Sequence, residues 1–217
     1  MRITDFRPRQ SKEAARLVAA ATTDDPLTIY MVPDAKRRAL PTLIHFREAL
    51  RLITPAQAAR VAVQDGRIIG LCHWVNVMKN ETHEPIDPRL AHVTGRLERR
   101  IGDAWAHLVA VHTALRPVFE GETGWILSAL AVHPDHQGAD IDGALLRDGL
   151  AEADLDGQPV SLLATAPEEI GFCRQHGFEI TETIDEILPG APPIWKMRRP
   201  AVSAEPLPSA PRGATPS

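Results

Sequence analysis

The chain has 217 residues, 44% of them hydrophobic, which is enough to bury the core of one domain. Its formal net charge at pH 7 is -4, which points to neither a nucleic-acid partner nor an anionic membrane. No apolar run approaches the ~20 residues that span a bilayer, and the first residues lack the apolar stretch of a secretory signal, so we expect a cytoplasmic protein. The two cysteines, Cys72 and Cys173, have no CxxC spacing, and we predict neither a disulfide framework nor a zinc site.

The first half of the chain contains three helical patterns and one hairpin. Apolar periodicity predicts helices over 11–21 and 41–52. The stretch 61–70 is the clearest hairpin, because Asp65-Gly66 is a turn dipeptide whose glycine accepts the positive φ of a tight turn. From 90 to 115, apolar residues recur at helical intervals up to Pro117, which predicts a long helical insertion.

The second half alternates between strands and helices. The predicted strands cover 125–132, 160–164, 178–187 and 194–197, and the predicted helices cover 142–154 and 167–176. This order predicts a mixed α/β sheet with helices on its faces. The folded domain is expected to span 1–199. The Pro-, Ala- and Ser-rich stretch 200–217 cannot bury enough surface to offset its ordering entropy, so we predict a disordered tail there.

Two segments carry a family resemblance. Residues 127–138 read Leu-Ser-Ala-Leu-Ala-Val-His-Pro-Asp-His-Gln-Gly, which resembles the central strand and following loop of the GNAT acetyltransferases. In that family the loop reads Q/R-x-x-G-x-G/A and opens a helix. Residues 166–178, Ala-Pro-Glu-Glu-Ile-Gly-Phe-Cys-Arg-Gln-His-Gly-Phe, resemble the family's closing helix, which usually ends in Tyr-x-x-x-Gly-Phe. The two motifs occur in the family's order, and the resemblance implies a GNAT-like α/β fold.

The resemblance also implies an acyl donor, acetyl-CoA or another acyl-CoA. Unpaired backbone N–H groups at a helix N-terminus, aided by the helix dipole, bind a diphosphate, and glycines let the ligand approach the backbone. By resemblance, Gln137, Gly138 and Gly143 belong to this diphosphate loop. The backbone of Leu130 and Val132, on the preceding strand, would pair with the pantetheine arm.

Four positions depart from the family pattern. Asp140 and Asp142 replace the two motif glycines, and either carboxylate could cap the helix and satisfy N–H groups that the family offers to phosphate. Two unit charges ~4 Å apart repel by about 4 kcal/mol at an effective dielectric near 20, so we expect acetyl-CoA binding to be weakened or lost. Glu169 stands where the family often has a cofactor-contacting Asn. Cys173 stands where the family often has the Tyr that protonates the departing thiolate.

Glu122 and His73 are the two main candidates for the proton acceptor, and Ser128, on the central strand, is a third. Glu122 flanks the central strand and His73 lies on a neighbouring strand, and each could also be an ordinary packed or solvated side chain. Cys173 could donate a proton, although its side chain is shorter than that of Tyr, or act as a nucleophile if His176 served as its base. His107 and His112 are five residues apart and miss the spacing of a helical ligand pair, and no metal site is predicted.

Three functions are consistent with these residues. The first is an N-acyltransferase that moves an acyl group from acyl-CoA to the amine of a small molecule, in a subunit that could form a homodimer, as is frequent in the family. The second is a GNAT-fold protein that no longer binds CoA and serves as a binding or regulatory module. The third is a repurposed enzyme, whose pocket between 20–60 and 78–120 would perform different chemistry.

Overall fold

The computed structural model describes residues 1–51, 53, 57–78 and 102–202. Within these ranges the chain forms a seven-stranded sheet in the order β1-β2-β3-β4-β5-β7-β6. Strands β4 and β5 are parallel and the other neighbours are antiparallel. The strands are β1 (Arg2–Asp5), β2 (Gln57–Gln64), β3 (Arg67–Asn76), β4 (Trp125–Val132), β5 (Val160–Ala164), β6 (Glu179–Ile184) and β7 (Ile194–Arg199).

Helices cover both faces of this sheet, which confirms the predicted α/β class. They are α1 (Ser11–Ala21), α2 (Pro26–Met31), α3 (Ala35–Arg51), α4 (Asp103–Leu115), α5 (Ile141–Leu155) and α6 (Pro167–Gln175). No helix within the described ranges combines the length and the apolar character that crossing a membrane requires.

The start predicted for the helix over 41–52 was wrong. Helix α3 begins at Ala35, and Pro41 lies inside it rather than at its first turn. The carboxylate of Asp34 accepts the N–H of Lys36 at 3.0 Å, which provides a helix start upstream of the proline. The N-terminal part of the predicted 90–115 helix, up to residue 101, lies outside the described residues, and α4 is its C-terminal part.

Two short elements were absent from the sequence prediction. Strand β1 adds to the edge of the predicted hairpin, with Arg2 opposite Val63. Helix α2 begins at Pro26, and its N-cap Asp25 accepts the N–H of Thr28 at 2.8 Å. An Asp-Pro pair at a helix start is a recognisable signal, which the sequence analysis passed over. The predicted disordered tail lies outside the described residues from residue 203 onward.

Two apolar cores lie against the two faces of the sheet. On one face α1 packs on β3, with Leu17 and Val18 near Leu71 in a fully buried cluster. The other core is built around α5. It includes Leu145 and Leu146 of that helix and, from other elements, Trp74, Cys173 and Phe178. A smaller cluster around Trp105 joins α2, α3 and α4. Helix α5 therefore packs across β2, β3 and β4, and Ile141 and Leu145 in its first turns lie against Gly70 of β3.

The contact between α5 and Trp74 gives a test of this packing. A methyl group at Gly149 would overlap the indole of Trp74, which is 2% exposed and cannot move away. We expect Gly149→Ala to destabilise the protein by about 1–3 kcal/mol through overpacking. Chemical denaturation would measure this change in the free energy of unfolding.

Gly171 in α6 is the matched control, since nothing lies within 4 Å of a methyl group at that position. Gly171→Ala should be neutral or stabilise the protein by up to about 1 kcal/mol, because Ala is the better helix former. Equal effects at the two glycines would contradict the packing described for α5.

Candidate functional site

Strands β4 and β5 pair only at their beginnings. The parallel register runs from Trp125 opposite Val160 to Leu127 opposite Leu162, although β4 continues to Val132 and β5 to Ala164. The β3–β4 register is also interrupted, because His73 lies opposite Ala129 and Trp74 opposite Leu127. Ser128 is the extra residue, and a bulge of this kind bends a strand away from its path. The result is a gap between the second half of β4 and β5.

Backbone donors of β4 face this gap. The N–H of Trp125 donates to the Pro159 carbonyl on the β5 side, whereas the N–H of His133 donates to the Ile69 carbonyl on the β3 side, each at 2.9 Å. Successive N–H groups of an extended strand point to opposite edges. Counting back from His133 places the N–H groups of Val132 and Leu130 on the edge that faces β5. This orientation suits the pairing with pantetheine that the resemblance implies for these two residues.

The chain between β4 and α5 turns through two left-handed residues. After a single 3-10 turn at Pro134–His136, Gly138 has φ 80° and Asp140 has φ 53°. Gly138 adopts this conformation without strain, whereas a residue with a Cβ atom does so less readily. Position 140 therefore has a conformational reason to be glycine in the resembled motif, and Asp is among the residues that tolerate it best. Gln137 to Asp140 are exposed, so a ligand can reach the loop.

The two aspartates of the loop behave differently. The Asp142 carboxylate accepts the N–H of Gly143 at 3.0 Å, in agreement with the prediction that a carboxylate would satisfy a helix N–H group. Asp140 occupies the N-cap position, but its side chain accepts no helix N–H group. Its Oδ2 instead accepts from Nη2 of Arg147 at 2.7 Å. That hydrogen bond, together with the charges of Arg147 and His176, holds the pKa of Asp140 below its usual range.

The Asp140–Arg147 ion pair lies directly against the first turn of α5. A methyl group at Gly143 would overlap Asp140 Oδ1 and lie 2.9 Å from Nη1 of Arg147. Gly143 therefore makes room for the ion pair.

An open cavity of about 480 Å³ extends from this turn to helix α6. On the α6 side the rings of Phe172 and His176 pack in a tilted arrangement, with their centroids 4.7 Å apart and their planes at 48°. The cavity thus combines a helix N-terminus, cationic and acidic side chains and an aromatic pair. Its lining consists of Gly138, Asp140, Asp142, Arg147, Phe172, Gln175 and His176.

Glu122, a predicted proton acceptor, lies in a cluster of opposite charges. Its carboxylate contacts the Lys196 ammonium at 2.5 Å, the Ser161 hydroxyl at 2.7 Å and the Arg198 guanidinium. Burial alone would raise the pKa of Glu122, but hydrogen bonds from Lys196 and Ser161 and the charges of Lys196 and Arg198 lower it. A carboxylate held in this way is a weak base, and its contacts favour a structural role that ties β5 and β7 to the residues preceding β4.

Removal of the Glu122 charge tests that structural role. We expect Glu122→Gln to lower the free energy of unfolding by about 3 kcal/mol, because two largely buried cations would lose their counter-charge. Glu120→Gln, in the same loop but exposed, is the control and should change stability by less than about 0.5 kcal/mol. If Glu122→Gln left stability unchanged, the structural role would be excluded.

His73, the other predicted proton acceptor, lies beside the bulge of β4. It is 7% exposed, and its Nε2 has no hydrogen-bond partner among the residues that the structure describes. Burial lowers the pKa of His73 from 6.5 to about 4, so the imidazole is neutral at pH 7. A neutral imidazole with a free ring nitrogen can hydrogen-bond a ligand, although a pKa this low makes it a weak base.

The burial of His73 predicts a loss of stability in mild acid. Because the folded-state pKa lies below the ordinary value, the unfolded chain binds this proton first as the pH falls. The contribution of neutral His73 to the free energy of unfolding is complete above about pH 6.5 and is lost progressively as the pH falls to about 4. Between pH 7 and pH 5 the loss from this one group is about 2 kcal/mol.

Denaturation at both pH values should show this loss reduced by about 2 kcal/mol in His73→Asn. His107→Asn, which changes an exposed histidine, should keep the wild-type pH dependence. If the His73 variant also kept it, His73 would not be the buried neutral group described.

Cys173 and Glu169 serve the packing and capping of α6. Burial, together with the charge of Glu169, raises the pKa of Cys173 to about 12, which does not favour the predicted nucleophile. Nδ1 of His176 lies 3.0 Å from the Phe172 carbonyl. Glu169 Oε2 accepts the N–H groups of Thr165 at 2.8 Å and Ala166 at 3.3 Å, so this carboxylate caps α6.

Two side chains near the site were missed from the sequence. Arg147 pairs with Asp140, and the Thr165 hydroxyl donates to Asp25, which links the start of α2 to the end of β5. Asp25 could have been found as a helix cap, but its second partner is 140 residues away in sequence. In the described part of the chain, no three His, Cys, Asp or Glu side chains come together in a way that could hold a metal ion.

Comparison with known proteins identifies the fold. No family model matches the sequence. A Corynebacterium glutamicum protein described as histone acetyltransferase HPA2 and related acetyltransferase superimposes with a TM-score of 0.65 at 18% identity, over 93% of this chain and 97% of that one. An aminoglycoside 6'-acetyltransferase type Ii matches with a TM-score of 0.52 at 15% identity, over 94% of this chain and all of the other (100%).

A third solved structure includes a ligand. The PaiA N-acetyltransferase of Thermoplasma acidophilum, in complex with coenzyme A, superimposes with a TM-score of 0.54 at 11% identity, over 92% of this chain and 99% of that chain. The chain therefore has the GNAT fold that the two sequence motifs predicted.

Proposed function

We propose that the chain is a divergent GNAT-fold N-acyltransferase that moves an acyl group from acyl-CoA to the amine of a small molecule. The observation that carries this proposal is the gap between β4 and β5, which leads to the start of α5. The N–H groups of Leu130 and Val132 face the gap, and the loop of Gln137, Gly138 and Gly143 lies at its end. One continuous path thus offers donors to a pantetheine arm and then to a diphosphate.

The residues at the site fit the acyl-CoA donor, except for the two acidic side chains of the loop. Helix N–H groups, Arg147 and the cavity suit an anionic ligand, whereas Asp140 and Asp142 repel it and Asp142 already accepts one of the N–H groups. The acidic loop therefore supports binding weaker than the family's loop would give. Glu169 is the remaining predicted cofactor contact. Because its carboxylate caps α6, we expect it to contribute little to donor binding.

The reaction needs an oriented amine and a polarised thioester. The amine nitrogen attacks the thioester carbonyl carbon, a C–N bond forms and the C–S bond breaks. The nitrogen loses one proton and the departing thiolate gains one, so the products are an amide and the free thiol of coenzyme A. The strand N–H groups of Leu130 and Val132 would polarise and position the donor. Among the candidate proton acceptors we favour His73 over Glu122, because its imidazole is neutral and lies beside the bulge of β4, whereas Glu122 is held by cations. Cys173 would be a poor proton donor.

The acceptor class also follows from the proposal. A small-molecule amine is consistent with the aminoglycoside named for one structural neighbour, and the negative net charge does not favour nucleic acid. A second candidate function is a binding or regulatory module that has lost CoA, and the observation in its favour is the pair of aspartates in the loop.

Acetyl-CoA binding decides between these two functions. We expect the wild-type protein to bind acetyl-CoA weakly and the Asp140→Gly, Asp142→Gly double variant to bind more than tenfold more tightly, because half of the ~4 kcal/mol repulsion exceeds 1.4 kcal/mol. Titration calorimetry measures both constants. A thermal shift provides a second readout, since a ligand at 100 times its Kd adds about 2.7 kcal/mol of stability.

Asp135→Asn is the matched control, because this exposed aspartate of the same loop does not line the cavity. Its affinity should equal that of the wild type. If neither the wild type nor the double-Gly variant bound acetyl-CoA, the acyltransferase proposal would fail and the binding module would be favoured.

A further inference from the structure

Arg147 is a cation that the family's loop motif does not explain. It lies seven residues after Asp140, about two helical turns away, yet its guanidinium returns to the start of α5 to contact that carboxylate at 2.7 Å. Both side chains are largely exposed, 55% for Arg147 and 66% for Asp140. An exposed ion pair contributes little to stability, so it can be exchanged for another pair at little cost.

The local backbone is arranged in favour of this ion pair. Asp140 adopts a left-handed conformation that a glycine would adopt more easily, and Gly143 gives up helix propensity to leave room for the carboxylate and the guanidinium. Local strain of this kind commonly accompanies a functional constraint.

We infer that Asp140 and Arg147 form a latch over the phosphate-binding end of the cavity. Without ligand, the Asp140 carboxylate is paired with the Arg147 guanidinium. A diphosphate displaces this carboxylate and is then bound by the guanidinium. This inference rests on the proposed function. Arg147 binds Asp140 through one hydrogen bond, from Nη2 to Oδ2, and a planar guanidinium can instead donate one or two hydrogen bonds to phosphate oxygens. The released Asp140 carboxylate can turn outward, because its side chain is already exposed to solvent.

The latch makes Arg147 a determinant of donor specificity. A thioester of pantetheine alone lacks a diphosphate and cannot replace the Asp140 carboxylate. An acyl-CoA can do so, and it gains the charge-assisted contact to Arg147. The protein should therefore distinguish acyl-CoA from acyl-pantetheine through Arg147, although the strand N–H groups would bind the pantetheine arm of both.

A double-mutant cycle tests the latch. Coenzyme A is titrated calorimetrically into the wild type, Asp140→Asn, Arg147→Gln and the double variant, since Asn keeps the size of Asp and also tolerates the left-handed backbone. We expect Asp140→Asn to bind more tightly than the wild type. In the Asp140→Asn background, Arg147→Gln should weaken binding about tenfold, because a charge-assisted contact to phosphate is lost.

The alternative is that Arg147 only neutralises Asp140. Arg147→Gln would then weaken binding in the wild type but have no effect in the Asp140→Asn background, and that result would overturn the latch. Arg174→Gln removes a nearby exposed cation of α6 that does not line the cavity. It should leave the affinity unchanged, so that a general effect of net charge is excluded.

Inorganic pyrophosphate separates failure of the latch from failure of the proposed function. If pyrophosphate shows the expected cycle and coenzyme A does not bind, the latch stands and the acyltransferase proposal falls. If coenzyme A binds but Arg147→Gln has no effect on its affinity in the Asp140→Asn background, the acyltransferase proposal stands and the latch is overturned. If neither probe binds any of the four proteins, both are overturned.

Discussion

The arrangement of the candidate site depends on the first turn of α5, whose N–H groups attract negative charge. The N-terminal N–H groups of a helix lack partners within it, and the helix dipole places partial positive charge there. In this chain the turn already contains acidic side chains, one bonded to the N–H of Gly143 and one paired with Arg147. Any phosphate ligand must compete with charges that belong to the protein itself. Under the proposed function, the gap between β4 and β5 adds contacts to the pantetheine arm that offset this competition.

The site offers more groups that could bind a donor than groups that could transfer protons. Glu122 is committed to Lys196, Arg198 and Ser161, and Cys173 is buried, so neither side chain is free to exchange protons with a ligand. His73 remains beside the bulge of β4 as a neutral imidazole. An enzyme with such groups would act mainly by holding a nucleophilic amine against the thioester, and its rate would depend on proximity and on strand N–H groups more than on a strong base.

Local patterns predicted most of the fold. Strand β4 and strand β5 were predicted at their observed bounds, because each is a short apolar run between turn residues. Sequence could not place the Asp140–Arg147 pair, which requires a left-handed residue and a missing Cβ at Gly143. Nor could it show that Glu122 is surrounded by cations from β7, because those partners are more than 70 residues away along the chain. Long-range partners decide which polar residues are free to react.

The most direct measurement is a crystal structure of the protein with coenzyme A. The account predicts the diphosphate above residues 137–143, with the guanidinium of Arg147 turned from the Asp140 carboxylate to the phosphate oxygens and the pantetheine arm along β4. Coenzyme A bound elsewhere, or a diphosphate at this turn while Arg147 still contacts Asp140, would contradict it.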